Sequence, residues 1–391
     1  MDKELEWLDW TAIAAANDSR PMRVHATAFS AIARRLWHVA ACLLLAVACV
    51  PAAQAFDWQV EVTPAGELFP ALEWSQRPGG AGGDGLVAIT VTGVAAGAGV
   101  QARVDTPGLR APAIIDAVGD GSRLVLRPRL AWSAARLASL QAPRPQRLRV
   151  ALQVDGRHEV REIDVRLHPL DEAAYFVRDG SAHVDLSWIF ASYVDPFAPA
   201  VDALLADARR LEPAFDVVDA DAGRMAHRRL RAAWRALAER GVRYDATDPA
   251  LARGPSVWSQ RVRSPAQVLR EQRANCIDGS VLIAAVMERL GLRARIALVP
   301  RHAFVGYRTP DSGDLAWLET TLLGATDFDA ARRAGDARWR DSAPRLDGRH
   351  APDYTLIDLG TARAYGIIPI GAALRAADPS PESAAASATA R

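Results

Sequence analysis

The sequence predicts an α+β protein in which an all-β domain of short antiparallel strands precedes a domain of mixed helices and strands. Apolar and polar side chains alternate in short runs between residues 56 and about 170, which is the pattern of half-buried strands. Beyond Pro169, apolar residues recur three and four positions apart, as on one face of a helix. The chain of 391 residues is 50% hydrophobic and 24% charged, so it has enough apolar residues to bury a sizeable core.

The first 55 residues have the features of an export signal. A basic segment leads into an apolar run over residues 39–50, and a small-x-small site follows at Ala53-Gln-Ala55. A run of about a dozen residues is too short to cross a bilayer as a helix, which takes about 20. We therefore expect a leader over residues 1–55 that is cleaved after Ala55, and a periplasmic or secreted mature chain without a membrane span. An acylated Cys42 or Cys49, as in a lipoprotein, and an uncleaved anchor are the alternatives.

The charge balance excludes several classes of function. With 47 basic and 46 acidic residues the net charge is +1, so no overall excess attracts nucleic acid or an anionic membrane. Lys3 is the only lysine, which removes Schiff-base chemistry and the lysine-containing phosphate loop. We expect no nucleic-acid partner.

Metal and nucleotide sites also lack their residues. The segment around His158-Glu159 has no second histidine for a helical zinc site, and the aspartates before Gly223 do not complete a calcium loop. No glycine-rich nucleotide fingerprint follows a strand. We expect no metal and no cofactor.

The first domain is predicted over residues 56–170 as an antiparallel β-sandwich of immunoglobulin-like type. Glycine-rich turn clusters separate its strands, and it contains no nucleophile, so a packing or binding role is expected. The predicted strands cover residues 86–91, 100–104, 124–126, 148–154 and 163–167.

The second domain is predicted over residues 171–375, and residues 376–391 form an Ala-, Ser- and Pro-rich tail that we expect to be disordered. Helices are predicted at 200–208, 225–237 and 265–272, the last with Ser264 as N-cap and Pro265 in its first turn.

A fourth helix starts at the residue that carries the strongest chemical signal. Cys42 and Cys49 lie in the leader, so Cys276 is the only cysteine of the mature chain. Asn275 is a good N-cap and Gly291 a good helix terminator, which puts Cys276 in the first helical turn. Unpaired backbone N–H groups and the helix dipole favour a thiolate at that position, provided that a cation assists.

Three neighbours modify this prediction. Asp278, two residues further on, opposes a thiolate by its charge, and we interpret it as a helix-start anion that supports the site. Gly279 and Ser280 are small enough for another element to approach the helix.

A predicted hairpin supplies two partners for the cysteine. If the strands that flank residues 308–313 pair Tyr307 with Asp314, then His302 lies opposite Glu319 on the same face of the sheet. Glu319 would then accept from one imidazole nitrogen while the other faces Cys276, which is the nucleophile, base and orienter arrangement of acyl transfer. A slip of one residue would turn the carboxylate away. An ordinary core histidine and a glutamate at a strand end are the alternatives.

From Pro265 to Thr321 the sequence resembles the core of the bacterial transglutaminase-like superfamily. The shared features are a helix that begins Asn-Cys-x-Asp after a Pro-x-x-Val-Leu segment, a Gly-Leu-x-Ala-Arg exit, a His-Ala-Phe-Val-Gly strand and a Trp-x-Glu-Thr-Thr strand. The close match covers about 60 residues, and the order of elements extends it over roughly 185 to 370.

The resemblance implies a papain-like α+β fold with a catalytic triad. By matching position, Cys276 is the nucleophile, His302 the general base and acid, and Glu319 the orienter. Many members have aspartate in the third place. Asp314 is a poorer substitute, because the predicted register puts it opposite Tyr307.

An acyl-transfer site also needs donors for the oxyanion. The backbone N–H of Cys276 is the natural one. Gln260, Trp258 and Gln272 are candidates for a second donor, and the sequence does not choose among them.

The leading hypothesis is an exported enzyme that acts on amide bonds of a protein or peptide, such as a cell-envelope component, through a Cys276 thioester. Water would make it a protease or amidase, and an amine would make it a transglutaminase. The alternative is a non-catalytic envelope binding protein with the same fold, in which Cys276 is buried and protonated. In a third hypothesis the β-sandwich recruits the chain to a cell-wall or protein partner.

Overall fold

The computed structural model describes residues 56–77, 79, 84–179, 182–246, 251–309 and 313–377. The predicted leader with its cleavage site, the two leader cysteines and nearly all of the predicted tail lie outside these residues, so the expectations about them stay predictions. In the part that is described, no helix combines the length and apolarity that a membrane crossing requires.

The described chain is mixed α+β, with 34% helix and 32% strand, which confirms the predicted class. Its first part contains two sheets, with strand orders β1-β3-β6 and β2-β8-β7-β4-β5. These elements are β1 (Asp57–Val62), β2 (Glu67–Leu68), α1 (Pro70–Trp74), β3 (Val87–Thr92), β4 (Gly99–Asp105), β5 (Ala113–Val118), β6 (Leu124–Leu126), α2 (Ala134–Ala138), β7 (Arg144–Val154) and β8 (Arg157–Leu167).

The two sheets contribute alternating apolar residues to one core that includes Trp58, Ile89 and Leu148. The pairing is antiparallel, as expected, except between β2 and β8, which are parallel over two residues. The β7–β8 hairpin turns over Asp155 and Gly156, both with positive φ, as a tight two-residue hairpin requires.

The second part contains two four-stranded antiparallel sheets, β10-β9-β13-β12 and β17-β16-β15-β18, and a short parallel pair, β11-β14. Its elements are β9 (Glu172–Asp179), β10 (Ala182–Asp185), α3 (Ile189–Tyr193), α4 (Pro199–Leu211), α5 (Ala222–Glu239), β11 (Arg243–Tyr244), β12 (Leu251–Arg253), β13 (Val257–Arg261), α6 (Pro265–Glu271), β14 (Arg273–Ala274), α7 (Cys276–Arg289), β15 (Arg293–Val299), β16 (His302–Arg308), β17 (Leu315–Leu318), α8 (Phe328–Ser342), β18 (Thr355–Asp358), α9 (Leu359–Ala364) and α10 (Ile370–Ala377).

The helix α7 is the centre of the second part. Every residue from 277 to 287 is buried, as expected for a helix that is apolar or small on all sides. It packs on one face of β15 and β16, while Phe304 and Trp317 face the opposite side of the sheet and Trp339 of α8 stacks on Trp317. The chain therefore delivers Cys276 at the start of its most deeply buried helix.

The described residues belong to one compact unit, Gln54–Arg391, with separate cores for the two parts. The core of the second part also takes Phe69 and two residues of α1 from the first. The predicted boundary at residue 170 falls between β8 and β9, where most core residues change from one cluster to the other.

The β16–β17 hairpin differs from the predicted register. Tyr307 pairs with Ala316 and Arg308 with Leu315, so the pairing of Tyr307 with Asp314, and with it that of His302 with Glu319, was wrong by two residues. Beyond the last strand pair, the Thr309 N–H donates to the Asp314 carbonyl at 2.8 Å.

Steric fit explains the observed register. Trp317 lies opposite Gly306, where a Cβ would be 2.5 Å from the indole ring, so only glycine accommodates it. A displacement of two residues keeps every side chain on its face of the sheet. His302 and Glu319 therefore lie on the same face of the sheet, as predicted. They are diagonal neighbours, whereas the predicted register placed them directly opposite each other.

Gly335 should be essential to the contact between α8 and β17. A Cβ at this position would lie 2.5 Å from the Leu318 nitrogen and the Trp317 carbonyl carbon, which are strand backbone and cannot rotate away. We expect Gly335→Ala to lower the free energy of unfolding by about 1–3 kcal/mol, as overpacking does.

Urea denaturation measures this change, with Gly99→Ala as the control, because a Cβ at Gly99 meets no atom within 4 Å. Equal midpoints for the two variants would contradict the proposed packing of α8.

Candidate active site

Cys276 is the first residue of α7, as predicted. The Asn275 side chain caps the helix by accepting from the N–H groups of Ile277 and Asp278, each at 3.0 Å. No acceptor for the Cys276 N–H occurs among the residues that the structure describes. The thiol is half-buried and lines a cleft. The cap thus satisfies the next two donors and leaves the Cys276 N–H available to a ligand.

Asp278 is a structural anion of the helix start. It is fully buried and accepts from the Asn275 N–H at 3.1 Å and from both the backbone and the guanidinium of Arg263 at 2.8 Å. Burial raises the pKa of Asp278, and the contacts with Arg263 oppose this rise. The Arg263 guanidinium balances the negative charge of Asp278, which would otherwise oppose a thiolate at Cys276. Asp278 does not line the cleft, and it supports the site by holding the start of α7 in place.

His302 lies between Cys276 and Glu319. It begins β16 directly after Arg301, whose φ is 61°, and its Nε2 is 2.9 Å from Oε2 of Glu319. Burial lowers the pKa of His302, but hydrogen bonds to Cys276 and Glu319, and their charges, raise it to about 9. Because Nε2 contacts Glu319, Nδ1 is the nitrogen left for the Cys276 thiol.

Glu319 is a buried, ionised carboxylate with every oxygen hydrogen-bonded. Its Oε1 accepts from the Thr321 N–H at 3.2 Å and from the Thr321 hydroxyl at 2.8 Å. Its Oε2 accepts from Arg338 Nε at 2.7 Å as well as from His302. Burial alone would raise the pKa of Glu319, yet the hydrogen bonds and charge of His302, with Thr321, lower it to about 2.

A close contact joins the segment after Glu319 to the helix that begins at Cys276. A 3-10 helix over Thr320–Leu322 follows Glu319, and a Cβ at Gly279 would lie 2.9 Å from that of Thr320. The hydroxyls of Thr320 and Ser280 both donate to the Cys276 carbonyl, at 3.2 and 2.7 Å. The prediction that small residues here admit another element is confirmed, and that element is the segment that carries Glu319.

The cleft has a volume of about 220 Å³ and contains Cys276 and His302 on one side. Of the candidate oxyanion donors, Gln260 and Trp258 of β13 line the cleft. Gln272 does not, because it ends α6 with its amide donating to the Arg240 carbonyl at 2.6 Å. The remaining wall is largely aromatic and aliphatic, with Tyr175, Phe190, Tyr244, Leu298, Val299, Pro300 and Pro352.

Gln260 fits the role of second donor better than Trp258. Its side-chain amide has no hydrogen-bonding partner in the described part of the chain. The Trp258 ring is already engaged, since it packs against Phe176 and under the Arg178 guanidinium, 4.8 Å from the ring centre. The Gln260 side chain and Cys276 thus line the same cleft, and in the described part of the chain neither the Gln260 amide nor the Cys276 N–H has a partner.

Sequence reasoning missed two contributors to the site. Thr321 was visible in the Trp-x-Glu-Thr-Thr motif but had no role assigned to it. Arg338 gave no signal, because it is one of several arginines on α8 and comes 19 residues after Glu319 along the chain.

No family model matches this sequence, and a search of curated proteins finds no match either. Among the described residues, no group of three or more His, Cys, Asp or Glu side chains is arranged to hold a metal ion. The geometry of the site is therefore the basis on which its function is inferred.

Glu319→Gln should reduce stability in a pH-dependent way. The folded-state pKa of His302, about 9, lies above its ordinary value of 6.5. The pair thus stabilises the fold fully below pH 6.5 and loses this contribution as the pH rises through 9, while Glu319 stays ionised throughout. The pKa shift of His302 sets an upper limit of about 3 kcal/mol on the pH-dependent part of the stability that Glu319→Gln removes.

Urea denaturation at pH 6 and pH 10 tests this linkage. The difference in unfolding free energy between wild type and Glu319→Gln should be larger at pH 6. A difference that is equal at both pH values, or larger at pH 10, would mean that His302 is not paired with this carboxylate.

Gly279→Ala should separate the acid from the nucleophile. The added methyl meets Thr320 and must displace the segment that begins at Glu319. We expect the rate of iodoacetamide labelling of Cys276 to fall, with a loss of about 1–3 kcal/mol in stability. Ser280→Ala is the control, because it removes a hydroxyl that donates to the same carbonyl and adds no volume. If both variants label at the same rate, the close contact does not govern the site.

Proposed function

We propose that this protein is a cysteine-dependent acyl-transfer enzyme of the transglutaminase-like type, which acts on amide bonds. The observation that carries the proposal is the chain of contacts from the Cys276 thiol through the His302 ring to the Glu319 carboxylate, beside an open cleft. The buried carboxylate keeps the imidazole protonated and oriented, and an imidazolium favours a neighbouring thiolate.

Each side chain has one role in the proposed reaction. The Cys276 sulfur attacks the amide carbonyl, and the C–S bond forms as the carbonyl π electrons move to oxygen. The Cys276 N–H and the Gln260 amide stabilise that oxyanion. His302 gives its proton to the departing nitrogen, the C–N bond breaks, and a thioester remains.

Resolution of the thioester uses the same histidine. A water or amine attacks the thioester carbonyl while His302 takes its proton, and the sulfur leaves as thiolate. Water gives hydrolysis, and an amine gives a new amide. The sequence after the leader contains no lysine, so a cross-linking reaction would need an amine from another molecule.

We also propose a fold type for each part of the chain and a location for the protein. The central helix α7 packed on an antiparallel sheet, with cysteine at the helix start and histidine on a strand, supports a papain-like core. Two sheets around a shared core support an immunoglobulin-like sandwich before it. The basic and apolar leader supports export to the periplasm or the medium, where a protein or peptide of the cell envelope would be the substrate.

Iodoacetamide labelling at pH 6 followed by peptide mapping tests the proposal. We expect Cys276 to react faster than a free cysteine, because the imidazolium of His302 stabilises the thiolate. p-Nitrophenyl acetate should also acylate Cys276, and His302→Ala should slow this acylation by about 100-fold or more. His158→Ala is the matched control, since His158 is exposed on β8.

A Cys276 that reacts no faster than a free cysteine, and equally fast in His302→Ala, would contradict the enzyme. That outcome would leave the alternative of a non-catalytic envelope binding protein.

A further inference from the structure

A second cavity lies behind the catalytic pair. It has a volume of about 440 Å³ and lies between α8 and the end of β15. Val299 and Pro300 line both this cavity and the active-site cleft, so the two spaces adjoin each other. We call it the Arg338 cavity, and its other lining residues are Ala334, Ala337, Arg338, Asp341, Ser342, Arg345 and Tyr354.

Arg338 links the cavity to the triad. Its Nε donates to Glu319 at 2.7 Å, which fixes one edge of the guanidinium. Its terminal amino groups have no hydrogen-bonding partner in the described part of the chain, and the side chain is 46% exposed. The guanidinium therefore presents two unused donors next to the carboxylate that orients His302.

Ser342 adds a hydroxyl to the lining of the cavity. The residue is 6% exposed, and its hydroxyl hydrogen-bonds to no group in the described part of the chain. The hydroxyl is therefore free to donate to a ligand in the cavity. This donor does not depend on Arg338.

Arg345 supplies the second positive charge. Its guanidinium lies 4.4 Å from the ring centre of Tyr354, and one amino group donates to the Asp341 carbonyl oxygen at 3.3 Å. The stacking on Tyr354 orients the planar group at the cavity wall.

The charge of the lining selects one class of ligand. The positive charges of Arg338 and Arg345 are balanced by the carboxylates of Glu319, which contacts Arg338, and of Asp341, which lines the cavity. Guanidinium groups bind carboxylates through paired hydrogen bonds, and a lining without a large excess of positive charge suits a monoanion better than a doubly charged phosphate.

We propose that the Arg338 cavity binds a carboxylate group, which Arg345, Ser342 and the free edge of Arg338 recognise. Binding itself does not depend on catalysis. If the proposed function holds, this is a subsite for a carboxylate of the substrate, and the enzyme prefers acidic peptides or their C-terminal ends. A bound anion would also neutralise Arg338, so that the charge of Glu319 acts on His302 alone.

Calorimetric titration of the Cys276→Ala protein with N-acetylglycinate tests the binding site without any catalytic step. We expect binding of N-acetylglycinate and none of N-acetylglycinamide, which differs only in charge. Arg345→Ala should weaken binding by about tenfold, as the loss of one charge-assisted hydrogen bond does. Arg340→Ala is the matched control, because Arg340 is an exposed arginine five residues before Arg345 that does not line the cavity.

Equal affinity of the Arg345→Ala and Arg340→Ala proteins, or equal binding of acid and amide, would overturn the proposal. Arg338 is not used as the reporter, since it also positions Glu319.

Kinetics of the wild-type protein distinguish the two sources of the carboxylate. If the substrate supplies it, Arg345→Ala should raise KM for the mono-p-nitrophenyl ester of glutaric acid and leave that for p-nitrophenyl butyrate unchanged. If a free acid supplies it, N-acetylglycinate should change the rate with p-nitrophenyl butyrate, and Arg345→Ala should remove that effect. Either result supports a carboxylate site. An absence of esterase activity would contradict the proposed function and leave the calorimetric result standing.

Discussion

The organisation of the second part depends on one buried charge interaction, that between the His302 imidazolium and the Glu319 carboxylate. A carboxylate that is 4% exposed on its side chain would carry a large desolvation cost without partners, and four donors surround it. Three of these donors hold it in place, and the fourth is the ring that contacts Cys276. The same interaction thus satisfies a buried charge and sets the orientation of the proposed base.

The segments that carry Cys276, His302 and Glu319 are separate in the chain and must meet within a few ångströms to form this interaction. Close packing of small residues brings them together. Gly279 lets the segment after Glu319 contact the helix of Cys276, and Gly306 lets Trp317 seat over β16. The ion pair between Arg263 and Asp278 anchors the start of that helix from the other side. The site is therefore positioned by backbone contacts and a buried ion pair, which resist distortion better than long exposed side chains.

The residues of the candidate site were predictable because their signals are local. Asn275 and Gly291 bracket a helix, and alternation along β16 puts His302 and Phe304 on one face. The hairpin register was not predictable, since it depends on the fit of an indole ring over a glycine on the neighbouring strand. Arg338 was invisible for a similar reason, because only the packing of α8 against β17 brings it to Glu319.

The His302 ring contacts Cys276 on one side and Glu319 on the other. The pKa of His302, followed by NMR before and after alkylation of Cys276, tests this contact most directly. The thiol contributes to raising that pKa to about 9, so alkylation should lower the titration midpoint. A midpoint that stays the same after alkylation would show that the imidazole and the sulfur do not interact, and the proposed mechanism would be wrong.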